Sequence, residues 1–112
     1  ERTILDGLAR PDLCAGVSEV ATGLLIRKDD LDWKKLAEYA QRLGSQAVLK
    51  RLGYLLDFYS LAPSEILSRL QGQIGPSYAL LDPLLPKSGQ FLSRWRLQLN
   101  IDTETLKGIA ST

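Results

Sequence analysis

The sequence predicts a mainly α domain of the α+β kind, with about five helices and a small antiparallel β pair near the C-terminus. Three observations carry this expectation. Apolar residues recur with a helical period from Ile4 as far as Leu70. After Pro76 the period changes, and residues 93–100 alternate strictly, with Trp95, Leu97 and Leu99 on one face and Arg94, Arg96, Gln98 and Asn100 on the other. The chain has 112 residues, 45% of them hydrophobic. That is one domain, 1–112, with enough apolar surface for its own core and too much for disorder.

Taken in order, residues 1–9 place Ile4, Leu5 and Leu8 on one face of a helix, with Arg2 and Asp6 spaced to pair on its exposed side. Pro11 ends it, because the residue before a proline avoids the helical region. Residues 17–26 form the next helix, on the stripe Val17, Val20, Ala21 and Leu24. Asp29 and Asp30 lead into a third helix, in which Trp33, Leu36, Ala37, Ala40 and Leu43 share a face. Asp30 is its expected N-cap, and Asp32 favours the positive end of its dipole. Gly44 is suited to end this helix, since glycine accepts the left-handed conformation of a C-cap, and Ser45 is suited to start the following one.

Residues 46–59 are apolar on a wider arc, through Val48, Leu49, Leu52, Leu55, Leu56 and Tyr59, which predicts the central helix. Gly53 lies in its middle at a cost of about 1 kcal/mol against alanine, which points to close approach of a neighbouring backbone. Pro63 is expected in the first turn of a helix over 63–70, with Ile66, Leu67 and Leu70 facing in; Gly72, Gly75 and Pro76 stop it. Residues 78–81 and 93–100 are the expected antiparallel pair, and the tail from Asp102 a final helical turn. Leu36, Ala40, Leu43, Leu52, Leu56 and Trp95 are the expected core.

The residues for enzyme chemistry are sparse. There is no histidine, which removes the commonest general base and most metal sites. Cys14 is the only cysteine, so an internal disulfide and a Cys-His nucleophile are both excluded for this chain, and it reads as a small buried apolar residue near a turn. The Asp29, Asp30, Asp32 group lacks the glycine and distal glutamate of a calcium loop and is better explained by helix capping. Residues 72–75 lack the Gly-Lys-Ser/Thr ending of a phosphate loop. The remaining carboxylates are scattered over exposed helix positions, and Trp33 and Trp95 lie on apolar faces and read as core. No catalytic, metal or cofactor residue is therefore assigned.

With 14 basic against 13 acidic residues, the net charge is +1, too small for a uniformly basic nucleic-acid surface. A local patch is possible. Arg42, Lys50 and Arg51 flank the Gly44-Ser45 corner, and Arg94 with Arg96 line one face of the last strand. These five are the candidate interaction surface; the alternative is that they serve solubility and shield a sheet edge. No apolar run approaches the roughly 20 residues of a membrane helix, no signal peptide is visible, and a reduced, cytoplasmic setting is expected. The chain contains no methionine and opens inside an expected helix, which predicts an excised domain of a longer protein.

Three stretches in this order also carry a resemblance: residues 1–24, ERTILDGLARPDLCAGVSEVATGL; residues 36–57, LAEYAQRLGSQAVLKRLGYLLD; and LLDP followed by RWRLQLN at 80–83 and 94–100. They resemble the C-terminal domain of the AbiEi family, antitoxins and transcriptional regulators of bacterial abortive-infection systems of type IV. The family often has Cys-Gly-Gly where this chain has Cys14-Ala15-Gly16. The resemblance implies an upstream winged helix-turn-helix that binds operator DNA, autoregulation, and a nucleotidyltransferase-type toxin as functional partner with no stable complex required. It implies no catalytic residue and no cofactor, and it leaves the oligomeric state open. The other reading of the residues is a dimerisation or ligand-sensing domain of an ordinary regulator.

Overall fold

The computed structural model describes residues 17–111, and the expectations for the helix over 1–9, its end at Pro11 and the burial of Cys14 lie outside them. Among the described residues are helices α1 (Val17–Ile26), α2 (Trp33–Leu43), α3 (Gln46–Phe58), α4 (Ser64–Gln71) and α5 (Thr103–Ser111), with strands β1 (Ala79–Leu80), β2 (Phe91–Leu92) and β3 (Leu97–Gln98) between α4 and α5. The fold is mainly α with a small β element.

Helix boundaries follow local chemistry. The α2 N-cap is Asp32, whose carboxylate accepts hydrogen bonds from the Lys34 and Lys35 amides at 3.1 and 3.2 Å. Asp30 does not cap it. The chain first turns beyond α1 through bonds from the Asp30 and Leu31 amides to the Arg27 carbonyl, so Asp30 lies in that turn while Asp32 has the extended backbone an N-cap needs. Gly44 ends α2 in the left-handed region at φ 68°, and Ser45 accepts from the Val48 amide to start α3. Pro63 stands just outside α4 as its N-cap, extended at ψ 158°, so the helix begins at Ser64. The tail forms a full helix, α5, where a single turn was expected.

Helix α3 is the centre, buried at every position from Val48 to Leu56. It packs on α4, on α2 and on β1, while α2 also meets α4 and α5 packs on α1. Leu36, Ala40, Leu52, Leu56 and Trp95 are all fully buried. Leu43 is 52% exposed and does not belong to the core: it is the last residue of α2, where the apolar stripe runs off the end of the helix. Gly53 does mark a close approach, but the neighbour is a side chain: a methyl group added there would overlap the six-membered ring of Trp95.

The β element differs most from expectation. It is a three-stranded mixed sheet in the order β1-β3-β2. Strand β1 pairs with β3 in parallel, Ala79 opposite Leu97 and Leu80 opposite Gln98. The antiparallel partner of β3 is β2, with Phe91 opposite Gln98 and Leu92 opposite Leu97. Residues 93–96 are a turn, so only the second half of the alternating run contains a strand. Arg96 takes a left-handed φ of 53°, reversing the chain while Trp95 points into the core. Turn and strand together reproduce the burial alternation of a single strand. The intervening loop lets β1 and β3 run parallel, which a tight hairpin cannot do.

That loop is held by Asn100. Its carbonyl accepts from the Asp82 amide at 2.9 Å, and its Nδ2 donates to the carbonyls of Asp82 (2.7 Å), Pro86 (3.2 Å) and Leu85 (3.3 Å). Asn100→Asp is nearly isosteric but sets carboxylate oxygen against those three carbonyls. It is expected to cost about 1 to 3 kcal/mol at neutral pH, and less below the carboxyl pKa, where the protonated side chain can donate once. Denaturant titrations at both pH values check this; an equal cost at both would refute it.

Candidate functional site

The five basic candidates do not form one surface. Arg42 lies in the last turn of α2, exposed, with its guanidinium 5.8 Å from the centre of the Tyr39 ring. Lys50 and Arg51 are buried, at 2% and 6% exposure. Lys50 Nζ donates to the Ser77 carbonyl, and Arg51 Nε donates to the Leu80 carbonyl at 3.0 Å. Both side chains therefore reach from α3 to the β1 segment and satisfy carbonyls there. They occupy a sheet edge that would otherwise be free to pair with another chain. Shielding of a sheet edge is the alternative reading of the five basic residues, and Lys50 and Arg51 fit it. Burial lowers the Lys50 pKa, and nearby Arg96 lowers it further. Burial also lowers that of Arg51, partly offset by the Asp82 carboxylate.

Arg94 and Arg96 do come together. They line a surface hollow of about 470 Å³ with Gln71, Ile74, Gly75, Pro76 and Ser93. Arg94 Nε pairs with Asp57 at 2.6 Å, and the same Asp57 oxygen accepts from the Trp95 indole N–H at 2.9 Å. Arg96 lies 5.7 Å from the centre of the Tyr78 ring. Gln46, at the start of α3, braces the segment before Pro76, accepting from the Gly75 amide at 2.6 Å and donating to the Gln73 carbonyl at 2.9 Å. Gln71 Nε2 donates to the Arg94 carbonyl at 3.3 Å, tying α4 to the turn.

Asp57, Asp82 and Asn100 are organising residues that sequence reasoning did not single out. Asp82 is buried in the loop after β1, where its two oxygens accept from the amides of Val17 at 3.3 Å and Leu84 at 2.9 Å. The one cue was its place before Pro83, a turn signal that carries no information about a partner as distant as Val17. Trp95 is core as expected, whereas Trp33 is half-buried at the start of α2.

Two tyrosines, Tyr54 buried and Tyr59 half-buried, give the molecule an alkaline signature. Burial raises the pKa of Tyr54, with Tyr59 and Asp57 adding to it, and burial raises that of Tyr59, whose hydroxyl donates to the Leu106 carbonyl. A folded-state pKa above the unfolded one contributes stability below about pH 10, which is lost as pH rises further. Lys50, shifted downward, acts in the opposite direction and at lower pH, adding stability as pH rises toward the ordinary lysine value. The stability of the parent relative to Tyr54→Phe is therefore expected to fall from about pH 10 upward. Urea titrations of both proteins across that range test it, and a constant difference would contradict it.

Among the described residues, no three His, Cys, Asp or Glu side chains converge on a metal-ion site, and no helix is long and apolar enough to cross a membrane. Comparison with known proteins adds no assignment: no family model, no curated protein and no solved structure matches the chain.

Proposed function

We propose that this chain is the antitoxin domain of an AbiEi-like autoregulating repressor that counters a nucleotidyltransferase-type toxin in bacterial abortive infection. The observation that carries the reading is the resemblance of residues 1–24, 36–57, 80–83 and 94–100 to that family, in the family's order. The domain acts without catalysis, in keeping with a chain that has no histidine and a lone cysteine. Operator DNA is bound by an upstream winged helix, and the setting is the bacterial cytoplasm. Neutralisation needs a surface, and the burial of Lys50 and Arg51 leaves Arg42, Arg94 and Arg96 as its basic members.

Co-expression of the full-length protein with its toxin tests this. Arg42→Glu is expected to leave the fold intact, since exposed charges usually contribute within about 0.5 kcal/mol; Arg96 is half-buried against Tyr78, so Arg96→Glu is used once circular dichroism shows it folded, and at least one of the two should weaken rescue from growth arrest. Full rescue by both folded variants would remove the basic surface from the reading. Failure of the parent to rescue would remove the antitoxin itself. The second reading, a ligand-sensing domain of a regulator without a toxin, is favoured by one observation, the arginine-lined hollow.

A further inference from the structure

The charges around the hollow do not balance. Arg94 is paired with Asp57, but among the described residues no carboxylate pairs with Arg96 or Lys50. Arg96 rests against the Tyr78 ring, which offsets its charge weakly and uses none of its N–H donors. Lys50 is almost wholly buried, and its one hydrogen bond among the described residues is to the neutral Ser77 carbonyl. The two cations are close enough for Arg96 to disfavour the charged form of Lys50. A buried cation without a counter-charge is costly, and two that repel are costlier. Buried Lys50 therefore adds to a positive potential beside a hollow whose walls carry Arg94, Arg96 and Ser93, and which no acidic residue lines among the described residues.

We propose that this hollow binds a small phosphate-bearing ligand, gripped by the Arg96 and Arg94 guanidiniums in the field of Lys50. A guanidinium fork matches phosphate oxygens in pairs, and a phosphate dianion supplies the two negative charges that Arg96 and Lys50 lack. At about 470 Å³ the hollow suits a small molecule. The turn presents both arginines because the left-handed backbone at Arg96 reverses the chain there. The proposal goes beyond the antitoxin reading and does not rest on it, so a failed rescue assay leaves it standing.

The experiment is a thermal-shift and calorimetric titration of the full chain with inorganic phosphate and with pyrophosphate, against sodium chloride at matched ionic strength. It is run at about pH 7.5, above the second phosphate pKa of about 6. Saturable stabilisation by the phosphates, absent with chloride, is expected. Arg96→Gln should weaken binding by about tenfold or more, the loss expected for a charged hydrogen bond, while Arg42→Gln, which removes the same charge elsewhere, should not. Arg96→Asn, whose side chain tolerates the left-handed backbone, replaces Arg96→Gln if that variant does not fold. Stabilisation equal to that by chloride, or unchanged in the Arg96 variants, would overturn the proposal. So would Arg96-dependent binding of an oligonucleotide by a protein that binds neither phosphate nor pyrophosphate.

Discussion

Trp95→Ala is expected to destabilise the fold by about 3 to 5 kcal/mol, the range for removing a buried large aromatic side chain. Three features place it high in that range. The ring is fully buried, it fills the space above Gly53, and its indole N–H is one of two donors to the same Asp57 oxygen. Removal leaves a void against α3 and half of the charge-assisted pair at Asp57. Gly53 gives the prediction a sharper form. Gly53→Ala alone should cost about 1 to 3 kcal/mol by overpacking, despite the gain of about 1 kcal/mol in helix propensity. In the Trp95→Ala background the clash is gone and only the propensity gain remains, so the same substitution should stabilise. A double-mutant cycle measures this, and additive effects would show that ring and glycine do not meet.

Leu52→Ala is expected to cost about 2 to 5 kcal/mol. Leu52 lies mid-way along α3, fully buried, in a helix whose neighbours on every side leave little room for collapse into a cavity. Leu43→Ala is the matched control. Half-exposed at the end of α2, it should fall within about 0.5 kcal/mol of the parent. The two substitutions remove the same atoms, so a difference in midpoint reports burial alone. Similar values for both would mean that α3 is not the centre of the fold.

Helix positions were legible in the sequence wherever the signal was local. The stripe from Val17 to Leu24, the Gly44-Ser45 corner and the apolar arc from Val48 to Leu56 each specify structure through contacts within a turn or two, and the structure follows them. Small errors arose where two caps competed. Asp30 and Asp32 carry the same side chain, and only the turn that follows α1 selects Asp32.

The basic candidates were harder, because a sequence places a charge along the chain but not in space. Lys50 and Arg51 stand beside apolar residues on a helix apolar nearly all round, which was a cue to burial. Their roles, however, depend on carbonyls at Ser77 and Leu80, brought up by a different segment. Arg94 and Arg96 share a wall because the chain turns between them and β3.

What the sequence by itself determined is the placing of the four helices between residues 17 and 71, their ends to within a residue or two, and the helix around which the others gather. Tertiary structure alone decided that β1 joins β3 in parallel, that Trp95 is the neighbour Gly53 makes room for, and which cations face solvent. The physical reason is range. Helical hydrogen bonds and caps close within a few residues, so the pattern that forms them is written locally. Strand pairing, the satisfaction of a buried lysine and the fit of an indole over a glycine join segments tens of residues apart, and nothing in either segment names the other.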